Sequence, residues 1–193
     1  HALAGLDPWA FKATNLALHL LTGVLVFVFT RLAYRAVRDD ALDRRRETQL
    51  ALAVAALWLL HPLQVSTVLY SVQRMAQISS LSMLAALSCY FWGRLRIADG
   101  KSGLGWMLAA MPIALVGFLG KENTVLLPLL LLVSEVTLLR GVSIANRQRS
   151  IRLIWALFIA LPLIVGLVYL STHLQYLNYD GRPFTLEERA LTQ

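Results

Sequence analysis

The sequence predicts an all-α membrane protein, a polytopic bundle of about six transmembrane helices. Hydrophobic residues make up 58% of the 193 positions and charged residues only 15%, which is far from the composition of a soluble domain. The apolar residues fall into blocks of roughly 16 to 25, the length that crosses a hydrocarbon core about 30 Å thick. Leu and Ala dominate these blocks without strict alternation, which favours helices over a β-barrel.

The first two spans have clear start and stop signals. Asp7 followed by Pro8 predicts a helix start, with the carboxylate as N-cap and proline at the first helical position, and this span runs to about Val37. The second span covers about 48–60 and is interrupted at His61, because Pro62 disfavours helix in the residue before it and lacks a backbone donor. Residues 63–75 form either a short interfacial helix or the upper half of one kinked span over 50–72.

The remaining spans follow from charge and length. A third span covers about 76–92. Residues 104–139 are 36 largely apolar positions, and one helix of that length would be about 54 Å long. The chain must therefore turn, and the charged tetrad 120–123 is the expected place. A last span covers about 151–170.

The basic residues divide unevenly between the two ends of these helices. Loops 31–46, 94–101 and 140–152 hold 13 of the 18 Lys and Arg residues. Because cytoplasmic loops carry the basic excess, His1 and Gln193 are both expected outside the cytoplasm, in a protein of the bacterial inner (plasma) membrane type. The excess lies in loops between apolar blocks and not on a folded basic surface, so no nucleic-acid partner is expected.

Polar residues gather at the non-cytoplasmic ends of the spans. Tyr70, Arg74 and Gln77 have i, i+4, i+7 spacing and are expected on one helical face. Such stripes normally face the bundle interior or a wet cavity. A similar stripe on the first span contains Asn15 and His19, which serve either as interhelical hydrogen-bond partners or as ligands.

Together these residues describe a cationic, hydrogen-bonding rim that fits an anionic headgroup whose tail stays in lipid. Arg and Lys donors match phosphate oxygens. Several of these residues also have a structural interpretation: Arg74 reaching lipid headgroups, Lys121 and Glu122 neutralising each other in a turn, and His61 satisfying a backbone carbonyl freed by the break. No metal-ligand spacing and no HExxH, GxSxG or glycine-rich phosphate loop occurs, so no cofactor is assigned. A divalent metal is compatible with the chemistry but no residue pattern supports one.

Four runs resemble the GT-C membrane glycosyltransferases, in the branch of protein O-mannosyltransferase-like proteins and of transmembrane, tetratricopeptide-repeat-containing O-mannosyltransferases. They are Asn15–Leu21, His61–Val65, Val72–Ala76 and Gly120–Asn123. The resemblance extends from about Leu6 to Gln193. It implies transfer of a sugar from a polyprenyl-phosphate carrier to a protein or lipid acceptor on the outer face.

The resemblance also implies a catalytic acid on the first outer loop, which would lie upstream of His1. Residues 1–193 are then one transmembrane domain fragment without the upstream first helix, the catalytic loop and any downstream tail. We expect Arg74 and Lys121 to bind the carrier phosphate, and membrane lipids to surround the domain. The residues expected to shape the site are His61, Gln73, Glu122 and Asn123.

Two other functions remain open from the residues alone. One is a catalytically silent membrane platform that anchors a repeat domain. The other is a transporter or flippase, which tends to show broken helices and inverted repeats. The sequence shows no second segment that would form an inverted repeat with the helix broken at His61.

Overall fold

The computed structural model describes residues 8–38, 44–70, 73–143 and 148–160, and the single positions 162, 164, 167, 168 and 171. All regular structure in these residues is helical, which confirms the all-α prediction. Residues 1–7 and 172–193, on which the expectations for Asp7 and for the two chain ends depend, lie outside the described residues. The helices are α1 (Pro8–Val37), α2 (Arg44–Leu59), α3 (Gln64–Leu69), α4 (Arg74–Ala98), α5 (Leu104–Gly120), α6 (Leu127–Thr137) and α7 (Gln148–Trp155).

The break after α2 is a true end and not a kink. α2 stops at Leu59, and the short helix α3 begins only at Gln64, so a single kinked span over 50–72 is excluded. His61 lies in the intervening turn, where its Nδ1 accepts a hydrogen bond from the Leu63 N–H at 3.3 Å. The exposed imidazole therefore satisfies a backbone donor of the turn that Pro62 creates, and not a freed carbonyl as the sequence alone had indicated.

The turn between α5 and α6 lies where the charged tetrad predicts it. α5 ends at Gly120, Lys121 is extended (φ −161°, ψ 145°), and a 3-10 segment over Glu122–Leu126 leads into α6. α6 has a proline, Pro128, in its first turn, where a missing backbone donor costs nothing. The final span differs from a plain helix, since α7 continues as a π-helical segment over Ala156–Ala160.

α4 and α5 form a close hairpin that depends on glycine. Gly100 adopts φ +73° just after α4, and the Lys101 N–H donates to the Arg96 carbonyl at 2.8 Å, which is the closing bond of a Schellman cap. The chain then passes Gly103, where a side chain would collide with the Gly93 carbonyl oxygen and with Ile97. α4 and α5 can approach this closely only because Gly93 and Gly103 both lack a Cβ.

We therefore expect Gly103→Ala to destabilise the domain by at least about 2 kcal/mol, since the added methyl forces the two backbones apart. Gly105→Ala is the matched control, because a Cβ there meets nothing within 4 Å and alanine favours helix by up to about 1 kcal/mol. Thermal unfolding in detergent micelles measures both. Equal midpoints for the two variants would contradict this account of the hairpin.

Contacts at both ends of each pair fix the helix directions. Asn15 meets Arg74 near the starts of α1 and α4, and Phe29 meets Phe91 further along both helices, so α1 and α4 are parallel. α2 is antiparallel to α1, because its last residue, Leu59, accepts a hydrogen bond from His19 near the start of α1. The start of α2 lies beside the last turns of α1.

α5 and α6 continue the alternation. Gly103 lies against Gly93 while Gly120 lies near Met75, so α5 is antiparallel to α4. α6 is parallel to α4, since Thr124 just before α6 bonds Ser79 and its later residue Glu135 bonds the distant end of α4. The bundle thus has a polar end, which carries His61, Gln73 and Lys121, and a basic end, where α1, α4 and α6 end and where α2 and α5 begin.

Two ion-pair clusters lie at the basic end. The Glu47 carboxylate accepts from Arg31 Nε at 2.6 Å and from Arg35 Nε at 3.0 Å, which joins α1 to α2. Burial raises the pKa of Glu47, but the hydrogen bonds and charges of the two guanidinium groups outweigh burial and hold this pKa below its ordinary value. The second cluster pairs Arg94 of α4 with Glu135 of α6 at 2.7 Å.

Polar side chains lie inside the bundle beside its apolar core, and large apolar side chains lie on its surface. Polar side chains such as Asn15, His19 and Gln77 are buried, while Leu57 and Leu119 are each 73% exposed. Among the described helices one, Trp9–Val37, is both long and apolar enough to cross a membrane, and three apolar helical stretches are shorter than 18 residues. These three are Leu104–Gly120, Asn123–Thr137 and Ile151–Ala160.

Candidate functional site

Arg74 is a cation at the polar end that contacts α1 through two hydrogen bonds and an aromatic ring. Its Nε donates to Asn15 Oδ1 at 3.2 Å, and its Nη2 donates to the Phe11 carbonyl at 3.4 Å. The guanidinium carbon lies 5.1 Å from the centre of the Phe11 ring, within cation–π range. Arg74 has five N–H donors, and the other three have no partner among the described residues.

Asn15 holds this arrangement in place. It is 1% exposed, and its Nδ2 donates to the carbonyls of Val68 at 3.2 Å and Tyr70 at 3.1 Å. One buried amide therefore links α1, the end of α3 and the first turn of α4. Its amide orientation is fixed, because the two carbonyl partners can only accept and Arg74 can only donate.

A cavity of about 410 Å³ enters the bundle beside this network, a size typical of small-ligand sites. Polar groups line it toward the polar end, including Gln64, Thr67 and Gln73. Apolar side chains line it deeper in the bundle. The complete lining is His19, Thr22, Val26, Trp58, Gln64, Thr67, Gln73, Ala76, Gln77, Ser80, Met83, Leu84 and Leu87.

Two buried polar side chains in this wall are only half satisfied. Gln77 is 5% exposed, and its Nε2 donates to the Thr67 carbonyl at 2.6 Å, while its Oε1 has no partner among the described residues. His19 is 6% exposed. Its Nε2 lies 3.1 Å from the Leu59 carbonyl, its ring stacks on Trp58 at 4.8 Å, and its Nδ1 has no partner in the described part of the chain.

Lys121 lies at the same end of the bundle but on another face of α4. Its carbonyl is 3.5 Å from Ser79 Oγ, and Gly120 lies near Met75. Met75 and Ser79 are about 100° and 140° around the helix axis from Arg74. The Lys121 side chain is half-buried and makes no ion pair with a described residue.

The predicted site residues are thus only partly brought together. Gln73 lines the cavity. The cavity lining does not include His61, Arg74, Lys121 or the exposed Asn123. Glu122 is the first residue of the 3-10 segment that precedes α6. The prediction that Tyr70, Arg74 and Gln77 share one helical face is wrong, because Tyr70 has an extended backbone and precedes α4. Arg74 bonds α1 while Gln77 bonds α3, so the two residues meet different neighbours.

Sequence reasoning missed much of the cavity wall. Thr22, Trp58, Thr67 and Ser80 all line the cavity, yet none forms a motif. The available signal was weak: Thr22 lies one turn after His19, on the polar stripe of α1. The described residues contain no group of three or more His, Cys, Asp or Glu side chains positioned to hold a metal ion.

Comparison of the chain with protein-family models, with curated proteins and with solved structures finds no match.

Proposed function

We propose that this chain is part of a polytopic integral-membrane glycosyltransferase of the GT-C type, which moves a sugar from a polyprenyl-phosphate carrier to a protein or lipid acceptor. The proposal places the domain in the bacterial inner membrane with about six spans. The polar end faces the non-cytoplasmic side, together with both ends of the chain.

The observation that carries the proposal is the pairing of Arg74 with the adjacent cavity. Three unpartnered guanidinium donors suit phosphate oxygens, which accept several charge-assisted hydrogen bonds. Gln73, the neighbour of Arg74, lines a cavity that is polar at its mouth and apolar inside. A lipid-linked substrate has these same parts, a phosphate, a polar sugar and an apolar chain.

The exposed apolar side chains of the bundle and its buried polar residues support the membrane setting. Exposed leucines and valines lie on α1, α2, α5 and α6, and large exposed apolar patches mark contact with lipid or protein. Buried polar residues within an apolar bundle are typical of functional positions in membrane proteins. The three short apolar helical stretches would cross the bilayer as members of the bundle.

In the proposed reaction, Arg74 stabilises charge on the departing phosphate, and the flexible Lys121 side chain reaches toward it from another face of α4. The acid expected upstream of His1 takes the proton from the acceptor hydroxyl as general base, and the acceptor oxygen attacks the anomeric carbon as the bond to phosphate breaks. His61, Gln73, Glu122 and Asn123 shape the entrance.

Reporter fusions test the proposed topology. Fusions after Arg46, Gly100 and Asn146 should report the cytoplasm, because these connections carry the basic excess. A fusion at Asp180 should report the outer side. A cytoplasmic signal at Asp180 would contradict the six-span arrangement.

The activity itself is tested with the full-length protein in reconstituted membranes. Labelled sugar should move from a polyprenyl-phosphate carrier to acceptor protein or lipid. Carrier binding without any transfer would favour the silent platform. Movement of the intact carrier between leaflets without sugar transfer would favour the flippase.

A further inference from the structure

We propose that Arg31 and Arg35 of α1, held together by Glu47 of α2, form a binding site for an anionic phospholipid of the phosphatidylglycerol type. The site lies at the basic end of the bundle, far from Arg74 and the cavity. It goes beyond the proposed function, because it depends on the membrane setting of the bundle and not on sugar transfer.

The three side chains carry a surplus positive charge. The Nε atoms of Arg31 and Arg35 donate to the same oxygen, Oε1 of Glu47, at 2.6 and 3.0 Å. One carboxylate balances one guanidinium, so the group keeps one positive charge in excess. A phosphodiester carries a single negative charge and would make the group neutral. Arg94 differs, because it is buried and Glu135 pairs with it one to one.

The donors that remain on the two guanidinium groups suit phosphate oxygens. A guanidinium has five N–H donors, and each of these arginines uses its Nε–H on Glu47. The terminal amino groups of Arg31 and Arg35 have no hydrogen-bond partner among the described residues, and both side chains are partly exposed. Glu47 thus keeps two planar forks close enough to serve one phosphate, the group that such forks bind best.

α1 provides an apolar surface beside these donors. Leu20, Val24 and Phe27 share with Arg31 and Arg35 an arc of about 80° around the helix axis, at about 100° per residue. Leu20 and Val24 are more than half exposed. The guanidinium carbon of Arg31 lies 5.6 Å from the centre of the Phe27 ring. One face of α1 therefore leads from exposed apolar side chains to the two cations.

The length of this face matches one lipid leaflet. Leu20 and Arg31 are separated by about 16 Å of helix, and half of a hydrocarbon core is about 15 Å thick. A phosphate bound at Arg31 and Arg35 therefore places an acyl chain of the same lipid along Val24 and Leu20. In the proposed orientation this leaflet is the cytoplasmic one, whose anionic lipids are attracted to basic segments.

A matched pair of photoreactive lipids tests the site. A phosphatidylglycerol probe and a phosphatidylcholine probe carry the same diazirine-bearing acyl chain. Each is added separately to phosphatidylcholine nanodiscs that hold the full-length protein, and peptide mass spectrometry locates the labels. The phosphatidylglycerol probe should label segment 20–28 about fivefold more strongly or better, because only its headgroup brings a net negative charge to the two arginines.

A triple variant and a matched control distinguish the site from general attraction to a basic surface. Arg31→Gln, Arg35→Gln and Glu47→Gln together remove both cations without leaving a buried carboxylate unpaired. Labelling by phosphatidylglycerol should fall about fivefold, to the level of phosphatidylcholine. Arg45→Gln also lowers the charge of the chain by one, but it changes an exposed arginine of α2. Its labelling should change by less than about twofold, since salt screens distant charges.

A second variant keeps the counter-charges of Glu47. Arg31→Lys with Arg35→Lys retains both positive charges but loses the planar forks, and should lower the preference for phosphatidylglycerol about threefold. Thermal unfolding accompanies every variant. Where the triple variant does not fold, the double lysine variant decides the result.

Four outcomes would overturn the inference. They are equal labelling of segment 20–28 by the two probes, an unchanged preference in the folded triple variant or in the double lysine variant that replaces it, an equal loss in Arg45→Gln, and displacement of the lipid probe by soluble glycerophosphoglycerol. The last result would assign the cations to a free phosphate ester. Selective labelling in a protein that transfers no sugar would reject the proposed function and leave the lipid site standing.

Discussion

Arg74→Ala should lower transfer from a polyprenyl-phosphate sugar by about 10- to 100-fold, because charge-assisted hydrogen bonds to phosphate contribute roughly 1.5 to 3 kcal/mol. Arg74→Lys should also be poor if the contact is bidentate, since an ammonium cannot reproduce the planar fork. Lys121→Ala should cause a smaller loss, because the Lys121 side chain must reach the phosphate from another face of α4. The assay follows labelled sugar in reconstituted membranes.

The structure provides a control that separates phosphate binding from a structural role. Arg74 also bonds Asn15 through Nε, so alanine removes a structural contact together with the charge. Arg74→Gln places an amide nitrogen where Nε lies, which keeps a donor for Asn15 while the charge is lost. Full activity in Arg74→Gln would make Arg74 a structural anchor.

Lys12→Ala is the matched control for Lys121→Ala. Lys12 is an exposed lysine on the first turns of α1, at the same end of the bundle, and its loss should leave transfer unchanged. Thermal unfolding accompanies each variant. If Arg74→Ala and Lys121→Ala both fold and transfer at the wild-type rate, the phosphate assignment is wrong and the platform gains support.

Local signals in the sequence predicted the ends of the helices well. Pro8 starts α1, the chain turns at Lys121, and α2 ends before Pro62. Each of these boundaries depends on a residue whose backbone or charge is incompatible with a continuing apolar helix. The alternation of helix direction followed once the boundaries were known.

The side chains that meet across the bundle were harder to predict. The rotation of each helix about its axis and the placement of α3 decide that Arg74 faces α1 while Lys121 lies near Ser79. No spacing rule within one segment contains that information. His19 shows the same limit, because its interhelical bond and its unpaired nitrogen coexist, whereas the sequence presented them as alternatives.

Arg94 also lies in a different environment from the one that the sequence indicated. In the sequence it counts among the basic residues of the loop 94–101, but α4 continues to Ala98 and Arg94 is only 1% exposed. It is neutralised by Glu135 and therefore adds little to the surface charge of the basic end. The contacts of Glu135 with Arg94 and Tyr90 link α6 to α4.

The Arg94–Glu135 cluster should dominate the stability of the basic end. Glu135 Oε1 accepts from Arg94 Nε at 2.7 Å and from the Tyr90 hydroxyl at 2.7 Å, and Oε2 accepts from Arg94 Nη2 at 3.1 Å. The Trp155 indole donates to the Tyr90 hydroxyl at 2.8 Å. One carboxylate therefore ties α4, α6 and α7 together inside the bundle.

Glu135→Gln is expected to destabilise the domain by about 3 to 5 kcal/mol, because it leaves a buried guanidinium without its counter-charge. The unfolding midpoint should fall by roughly 6 to 20 °C. Cys89, the only cysteine of the chain and a neighbour of Tyr90, provides the measurement, since a thiol-reactive fluorophore reports its exposure during heating. Glu47→Gln is the control and should cost about 1 kcal/mol or less, because Arg31 and Arg35 are 32% and 38% exposed.

The paired substitution Arg94→Met with Glu135→Leu distinguishes loss of a charge partner from loss of packing. Removing both charges eliminates the uncompensated guanidinium, so the double variant should recover much of the stability lost in Glu135→Gln. Tyr90 and Trp155 retain their mutual hydrogen bond in that variant. If the double variant is no more stable than Glu135→Gln, the cost lies in packing among α4, α6 and α7 and not in the buried charge.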